Sequence, residues 1–198
     1  MELIVGTDSS WSLRAWICMK LAHIKPNEIV IDLDKANYKT RILEHSPSGL
    51  VPVLKDGEVR IHDSLAIVEY LNECSPGVLY PEARESRALA RSLCAEVHSG
   101  FAILRNQCPF TLDLVSPLES NEAIRDDLHR AKEIFESAEI PYMFGRESAV
   151  DGFYAILAYR LRIYGITLSG KASEYQKSLL DWALLQEAIV QAKKWRNV

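Results

Sequence analysis

Near its start the chain reads Thr7-Asp8-Ser9-Ser10-Trp11-Ser12-Leu13-Arg14-Ala15-Trp16, directly after the short apolar run Leu3-Ile4-Val5-Gly6. The apolar run predicts a strand, and the residues after it predict a helix that extends to His23. Serine hydroxyls therefore lie where a strand leads into a helix. The first turn of a helix has unpaired N–H groups and a partial positive charge, so it stabilises an anion. A hydroxyl adds one more hydrogen bond, and the arrangement suits a bound thiolate. The alternative is that Ser9, Ser10 or Ser12 is only a helix N-cap.

The composition is that of an ordinary globular protein. The 198 residues are enough for one large domain or two small ones, and 48% of them are hydrophobic and 25% charged. The formal net charge is −4 with no lysine- or arginine-rich block, which argues against nucleic acid as a partner. No apolar run approaches the roughly 20 residues that cross a bilayer, and no secretory signal is recognisable. We therefore expect no membrane partner.

Four cysteines, Cys18, Cys74, Cys94 and Cys108, are scattered along the chain without the spacing of metal ligands. Three of them lie in apolar, helix-like surroundings, where a buried free thiol is the usual finding. We expect free thiols, no metal ion and a reducing, cytoplasmic setting.

The first 74 residues predict alternating strands and helices. Strands are predicted at Glu2–Val5, Asn27–Asp32, Val51–Lys55 and Val59–Ile61, and helices at Trp11–His23, Tyr38–His45 and Ser64–Glu73. Asp56-Gly57 between two apolar runs is typical of a hairpin turn. The order β-α-β-α-β-β-α predicts a right-handed parallel unit with an antiparallel hairpin at its edge. The result is a small mixed α/β sheet with helices on its faces.

The rest of the chain predicts helices only. A turn-rich connector at residues 75–82 separates an α/β domain at residues 1–74 from an all-α domain at residues 83–198. The apolar spacing predicts one long helix at Arg84–Asn106, further helices at Asn121–Ala138 and Ala149–Tyr164, and one or two helices over Ser173–Trp195.

Two other features of the first half would lie near the serine turn in such a fold. A proline at the start of a strand, as in Val51-Pro52, cannot donate to the ladder there. If that peptide bond is cis, the backbone of Val51 is free to pair with an extended peptide; the alternative is an ordinary trans strand start. Asp63-Ser64 begins a predicted helix, where an α-carboxylate could accept hydrogen bonds and an α-amine could pair with Asp63. The alternative for Asp63 is a plain N-cap.

Taken together, these motifs resemble the cytosolic glutathione S-transferases over nearly the whole chain. The resemblance is carried by the serine turn with Arg14, by Ser-Pro-Ser-Gly-Leu-Val-Pro-Val-Leu at residues 46–54 and by Asp-Ser-Leu-Ala-Ile-Val-Glu-Tyr-Leu at residues 63–71. It implies a thioredoxin-like N-terminal domain and an all-helical C-terminal domain. Ser148-Ala149-Val150-Asp151 is similar to the capping box of a buried helix in the second domain. The serine turn is most similar to bacterial serine-type members and to the zeta class, which includes maleylacetoacetate isomerases.

The resemblance also implies that glutathione is the co-substrate and that a hydroxyl binds its sulfur. Comparison with zeta-like members points to Ser9, whereas the spacing to Arg14 in theta-like members points to Ser10. Trp11 would lie beside the sulfur. Since no cysteine occupies this turn, we do not expect disulfide-exchange chemistry.

Four further residues would hold the rest of the tripeptide. The resemblance implies that Val51, before Pro52, pairs with the cysteinyl amide, and that Asp63 and Ser64 hold the γ-glutamyl end.

The sequence departs from the family pattern at two positions. Many members have lysine or glutamine near Leu50 to bind the glycine carboxylate of glutathione; His45, Lys39 or Arg41 could take that role here. Trp11 replaces the cysteine of the zeta pattern, which weakens the isomerase interpretation.

The electrophile site is predicted from Trp11 and from one stretch of the long helix that carries His98, Phe101, Arg105 and Cys108. The alternative is that Phe101 is core and that His98 and Arg105 pair with neighbours. We expect a symmetric homodimer, which is common for this family and for proteins generally. The leading hypothesis is conjugation of the glutathione thiolate to small electrophiles. The alternatives are a glutathione-dependent isomerase and a non-catalytic binding or regulatory protein with the same fold.

Overall fold

A computed structural model describes residues 1–118 and 122–198 of the chain. The described residues form two compact units. One comprises Met1–Leu79 together with Glu187–Val198, and the other comprises Tyr80–Gln186.

The first unit contains a four-stranded mixed sheet in the order β2-β1-β3-β4. The strands are β1 (Glu2–Gly6), β2 (Asn27–Ile31), β3 (Val53–Asp56) and β4 (Val59–His62). β1 runs parallel to β2 and antiparallel to β3, and β3 pairs antiparallel with β4. The predicted parallel unit with an antiparallel hairpin is confirmed, and Gly57 in the hairpin turn has a φ of +55°, which favours glycine.

Three helices of this unit pack on the sheet. They are α1 (Ser10–Leu21), α2 (Tyr38–Leu43) and α3 (Ser64–Cys74). One cluster beneath α2 joins Ile4, Ile31, Ile42 and Val53. All four side chains are almost fully buried, and each such side chain contributes about 1.5–3 kcal/mol relative to an exposed one.

The second unit is built from helices, as the sequence predicts. The helices are α4 (Arg84–Ser99), α5 (Ala102–Gln107), α6 (Arg125–Glu136), α7 (Ala149–Ile163) and α8 (Lys171–Asp181), with a 3₁₀ turn at Glu122–Ile124. A last helix, α9 (Ala183–Trp195), begins in this unit and continues into the first one. α7 is buried along most of its length, which matches its apolar sequence. No described helix has both the length and the apolar character needed to cross a membrane.

The prediction of one long helix at Arg84–Asn106 is wrong, because the helix is interrupted at Gly100 and Phe101. A Cβ atom on Gly100 would lie 2.7 Å from the carbonyl oxygen of Glu96, and Phe101 has a left-handed φ of 55°. Asp127 accepts the amide N–H of Leu104 at 2.8 Å and so stabilises the start of the new helix. The break puts His98 on α4, Phe101 between the helices and Arg105 on α5, so these three do not share one helix.

One other helix boundary differs from the prediction, whereas the prediction of one or two helices over Ser173–Trp195 includes what the structure shows. Position 121, where the helix Asn121–Ala138 was predicted to begin, lies outside the described residues, and α6 begins at Arg125. The segment Ser173–Trp195 forms two helices, because Trp182 adopts an extended backbone and donates its indole N–H to Glu147 at 2.8 Å.

The capping motif at the start of α7 matches the expectation in part, because the Asp151 carboxylate accepts the backbone N–H of Ser148, as in a capping box. Ser148 makes no side-chain cap bond to the first turn; its hydroxyl instead donates to Asp151 at 2.7 Å. The Asp151 carboxylate also accepts the N–H of Met143 at 2.8 Å and the hydroxyl of Tyr175 at 2.7 Å. Burial raises the pKa of Asp151, and these hydrogen bonds oppose that rise only in part. The motif therefore ties α7 to α8 and to the segment before α7.

Candidate functional site

The turn between β1 and α1 carries the two serines. Ser9 is the N-cap of α1, and its Oγ accepts the amide N–H of Ser12 at 3.2 Å. Ser12 Oγ in turn accepts the N–H of Gly6 at 3.1 Å. Because the Ser9 oxygen acts as an acceptor, its own proton stays available for donation to a ligand. The N-cap interpretation is thus correct for Ser9 and is compatible with a binding role.

The start of α1 has the electrostatic character of an anion site. Ser10 is its first residue, and Ser9 and Ser10 are each only 8% exposed. The helix is 12 residues long and carries no acidic side chain in its first turn. Its amide N–H groups and positive helix end are therefore not neutralised from within the helix.

The turn before β3 lies beside the end of β1. The register pairs Ile4 with Val53, and a Cβ atom on Gly6 would lie 2.8 Å from Cγ2 of Val51 and 2.7 Å from Cδ1 of Leu33. Only glycine permits this close approach without a shift of its neighbours. The Val51–Pro52 peptide bond is cis. The structure thus brings Val51 and Pro52 next to the strand that leads into the serine turn.

The start of α3, which packs against α1, contains Asp63 and Ser64. Asp63 caps the helix: its Oδ1 accepts the N–H groups of Leu65 at 2.8 Å and Ala66 at 3.2 Å, with a left-handed φ of 76°. Ser64 is only 1% exposed, and its Oγ has no hydrogen-bond partner among the described residues. A buried hydroxyl without a partner is costly, so this atom is suited to meet a polar ligand group.

Two of the three candidates for a carboxylate-binding side chain, Lys39 and His45, can be compared by their surroundings near Leu50. Leu50 itself is 61% exposed. Lys39 Nζ donates to the carbonyl oxygen of Gly49 at 2.8 Å, so its ammonium group lies at this segment. Burial, followed by the charge of Lys55, lowers the pKa of His45 below its ordinary value, and His45 is therefore neutral near pH 7. Lys39 is better placed than His45 to meet a carboxylate.

Trp11 lies one residue after the serine pair and contacts a cation. The guanidinium of buried Arg14 lies 4.7 Å from the centroid of its ring. Cys18, two turns further into α1 by sequence position, is fully buried, and burial raises the pKa of its thiol more than nearby Arg14 lowers it. Cys18 is thus a protonated core residue.

The remaining candidates belong to the second unit. Phe101 is buried, and Arg105 donates to the carbonyl oxygen of His98 at 3.1 Å across the break between α4 and α5.

Arg160 on α7 was not singled out from the sequence, although an arginine in an apolar helix is a usable signal. It is buried, it donates to the carbonyl oxygen of Cys108, and burial together with the charge of Arg105 lowers its pKa to about 10.

One contact at the serine turn had no signal in the sequence. Arg196 Nε donates to Asp8 Oδ1 at 2.7 Å, although the two residues are 188 positions apart.

No group of three His, Cys, Asp or Glu side chains that could hold a metal ion occurs in residues 1–118 and 122–198.

Comparison with known proteins identifies relatives of this chain. Residues 8–74 match the family model described as glutathione S-transferase, N-terminal domain. The chain is 38% identical over 100 residues to a probable maleylacetoacetate isomerase of Caenorhabditis elegans, an alignment of 50% of this chain and 46% of that protein. It is 32% identical over 141 residues to glutathione S-transferase 1 of Dianthus caryophyllus, which covers 70% of this chain and 63% of that one. The chain thus spans about half to two thirds of these relatives.

A solved structure supports the same fold. The crystal structure of a glutathione transferase homolog from Burkholderia with bound glutathione superimposes with a TM-score of 0.73, at 24% identity, over 98% of this chain and 97% of that one. The chain therefore has the glutathione S-transferase fold. Its residues 8–74 belong to the glutathione S-transferase N-terminal domain family.

Proposed function

We propose that this protein is a glutathione transferase that conjugates the glutathione thiolate to small electrophilic substrates. The observation that carries the proposal is the start of α1, where two nearly buried serine hydroxyls lie at a positive helix end with no acidic residue in the first turn. This arrangement favours an anion of the size of a thiolate.

The sulfur is activated by hydrogen bonds and by the helix end. A free thiol has a pKa near 8.5 or above and is mostly protonated at neutral pH. A hydrogen bond donated by the hydroxyl of Ser9 or Ser10, together with first-turn amides, lowers the pKa of the thiol by about one to two units. Each unit corresponds to about 1.36 kcal/mol of preferential stabilisation of the thiolate. The thiolate fraction at neutral pH then rises about tenfold or more. The thiol proton goes to solvent, and the thiolate forms a bond to the electrophilic carbon while the bond from that carbon to its leaving group breaks. The leaving group departs with the electron pair of that bond, and no general base is needed.

The γ-glutamyl end of glutathione is assigned to the start of α3. Its α-carboxylate would accept a hydrogen bond from the hydroxyl of Ser64, which has no partner among the described residues. Its α-amine would pair with Asp63. The backbone of Val51, beside Pro52, would pair with the cysteinyl amide. These roles are supported by the common location of the residues in one unit.

The glycine carboxylate of glutathione is assigned to Lys39. Its ammonium group lies at Gly49, directly before Leu50, where many family members have their own lysine or glutamine. His45 is less suited because burial favours its neutral form.

The electrophile would contact Trp11, which follows the serine pair. His98, Phe101 and Arg105 stay candidates for the same role from the second unit. Burial of Phe101 and the bond from Arg105 to His98 also support a structural role for these residues.

A glutathione-dependent isomerase is the second candidate function. The 38% identity to a protein named probable maleylacetoacetate isomerase favours it, whereas Trp11 in the place of the zeta-class cysteine argues against it. A non-catalytic binding or regulatory role is the third, and exposed Leu50 at a position that usually binds glutathione is in its favour.

A cytoplasmic homodimer is part of the proposal. Four free cysteines, three of them buried, support a reducing compartment, and the two-fold dimer is the commonest assembly of soluble proteins.

The test is titration calorimetry with glutathione, followed by assays with a general aryl electrophile and with a cis-dienone acid. We expect heat of binding at millimolar glutathione and formation of the conjugate. Isomerisation of the dienone acid without conjugation would support the second function. Binding without either reaction would support the third, and no binding would refute all three.

A further inference from the structure

Arg196, which follows directly after α9, pairs with a carboxylate at the serine turn. Asp8, immediately before Ser9, has a left-handed φ of 53°, and its carboxylate accepts a hydrogen bond from Arg196 at 2.7 Å. The side chains of Arg196 and Asp8 are 28% and 34% exposed. An ion pair this exposed contributes little to folding stability, so its effect on the charge of the turn is its more important consequence.

Other contacts hold Arg196 in place. Glu28 on β2 accepts the indole N–H of Trp195 at 2.6 Å, the indole N–H of Trp16 at 2.7 Å and the amide of Gln191 at 2.7 Å. Residue 196 follows directly after this anchor. Its guanidinium is therefore brought to Asp8 by the packing of α9 and does not depend on the ion pair alone.

We propose that Arg196 is a positioning residue of the thiol site, because its guanidinium neutralises the Asp8 carboxylate next to the two serines. This role rests on the proposed function. Asp8 directly precedes Ser9 and is the carboxylate residue nearest in sequence to the two hydroxyls. Because consecutive Cα atoms are about 3.8 Å apart, the backbone of Asp8 lies close to both serines. An uncompensated carboxylate there would repel a thiolate and keep the thiol protonated. With Arg196 in place, the turn presents donors and a positive helix end to the sulfur.

Other charged groups on the neighbouring elements have partners of their own or are exposed. The segment after β2, which bonds Thr7 through the N–H of Leu33, carries Lys35 paired with Asp32 at 3.6 Å and exposed Asp34. The guanidinium of Arg14 on α1 lies over Trp11. The carboxylate of Asp63 at the start of α3 binds two amide groups, and Glu28 on β2 binds the two indoles. Lys193 and Lys194 on α9 are exposed. Lys194→Gln therefore provides a matched control that removes one cation from the same helix end.

The test measures the pKa of glutathione bound to the protein, from the ultraviolet absorbance of the thiolate as a function of pH. We expect Arg196→Gln to raise this pKa by about half a unit, since two charges several ångströms apart at a partly exposed site interact weakly. Asp8→Asn removes the repelling carboxylate, and asparagine tolerates the left-handed backbone of position 8. This variant should leave the thiol pKa unchanged or lower it. The double variant should return it to near the wild-type value, and Lys194→Gln should leave it unchanged.

The variants separate this role from a purely structural one. If the pair only held the turn in shape, Arg196→Gln and Asp8→Asn would raise the thiol pKa alike, and that result would overturn the proposal. An unchanged pKa in Arg196→Gln would also overturn it while leaving the proposed function intact. Wild-type protein in which no bound thiol titrates would refute the proposed function, and this role with it.

Discussion

The hydroxyl oxygen of Ser9 accepts the amide N–H of Ser12 at 3.2 Å, so this serine caps α1 at the turn where we propose that the sulfur binds. The cap uses a lone pair of the oxygen and leaves the hydroxyl proton free. Structural and chemical roles can therefore be separated by experiment, because the neighbouring Ser10 is not the cap.

We expect Ser9→Ala to lower the free energy of unfolding by about 1 kcal/mol through loss of the cap, and Ser10→Ala to change it little. The measurement is urea denaturation of both variants. In the double variant the pH midpoint of conjugation should rise by about one to two units, because the sulfur has lost its hydroxyl donors. Full activity with an unchanged pH profile would show that neither serine binds the thiol.

Ser64→Ala should weaken glutathione binding at least about tenfold without destabilising the protein. The hydroxyl is buried and has no partner among the described residues, so its removal leaves no protein group unsatisfied, whereas the bound carboxylate loses a donor. Calorimetry and denaturation of the same samples provide the two readouts. Ser92→Ala, at an exposed serine of α4 that bonds the carbonyl oxygen of Ala88, is the control. Equal affinity in wild type and Ser64→Ala would remove Ser64 from the proposed site.

Glu28→Gln should destabilise the first unit by about 1–3 kcal/mol. The carboxylate accepts three N–H groups, and an amide in its place turns a donor toward at least one of them. Hydrogen exchange should also show faster exchange across Glu187–Val198, because these residues lose their anchor. Glu187→Gln, which removes only the exposed ion pair with Lys20, should have a much smaller effect. Similar protection in both variants would argue against Glu28 as the anchor.

The contribution of Asp151 to the stability of the protein should fall as pH rises through the titration of this carboxyl. Burial raises the pKa of this carboxyl above its ordinary value of 3.8, so the folded state binds more protons than the unfolded state within that window. The contribution of this group to the free energy of unfolding is then largest at low pH, and it declines until the pH passes the pKa of Asp151 in the folded state. Denaturation at a series of pH values should show the decline in wild type and its absence in Asp151→Asn. A contribution of the opposite sign would mean that the hydrogen bonds to Ser148 and Tyr175 outweigh burial.

Much of the first unit follows from local sequence. The apolar run before the serines, the Asp56-Gly57 turn and the spacing in α3 each encode an element through residues that are neighbours along the chain. The Asp63 and Ser9 caps are local for the same reason. The predicted helix Arg84–Asn106 failed because spacing alone does not reveal that Gly100 and Phe101 leave the helix, or that distant Asp127 stabilises the helix that follows.

The amino-acid sequence by itself determined the class of fold, the order of strands and helices in the first unit, and the serine, proline and Asp-Ser motifs proposed to bind glutathione. Periodicity, turn chemistry and capping act over a few residues, so these features can be read from neighbours along the chain. Only the tertiary structure decided that Lys39 reaches the carbonyl of Gly49, that Ser64 is buried without a partner among the described residues, and that Arg196 meets Asp8. Such contacts join residues far apart in sequence, and they depend on how the packed elements bring side chains together in space.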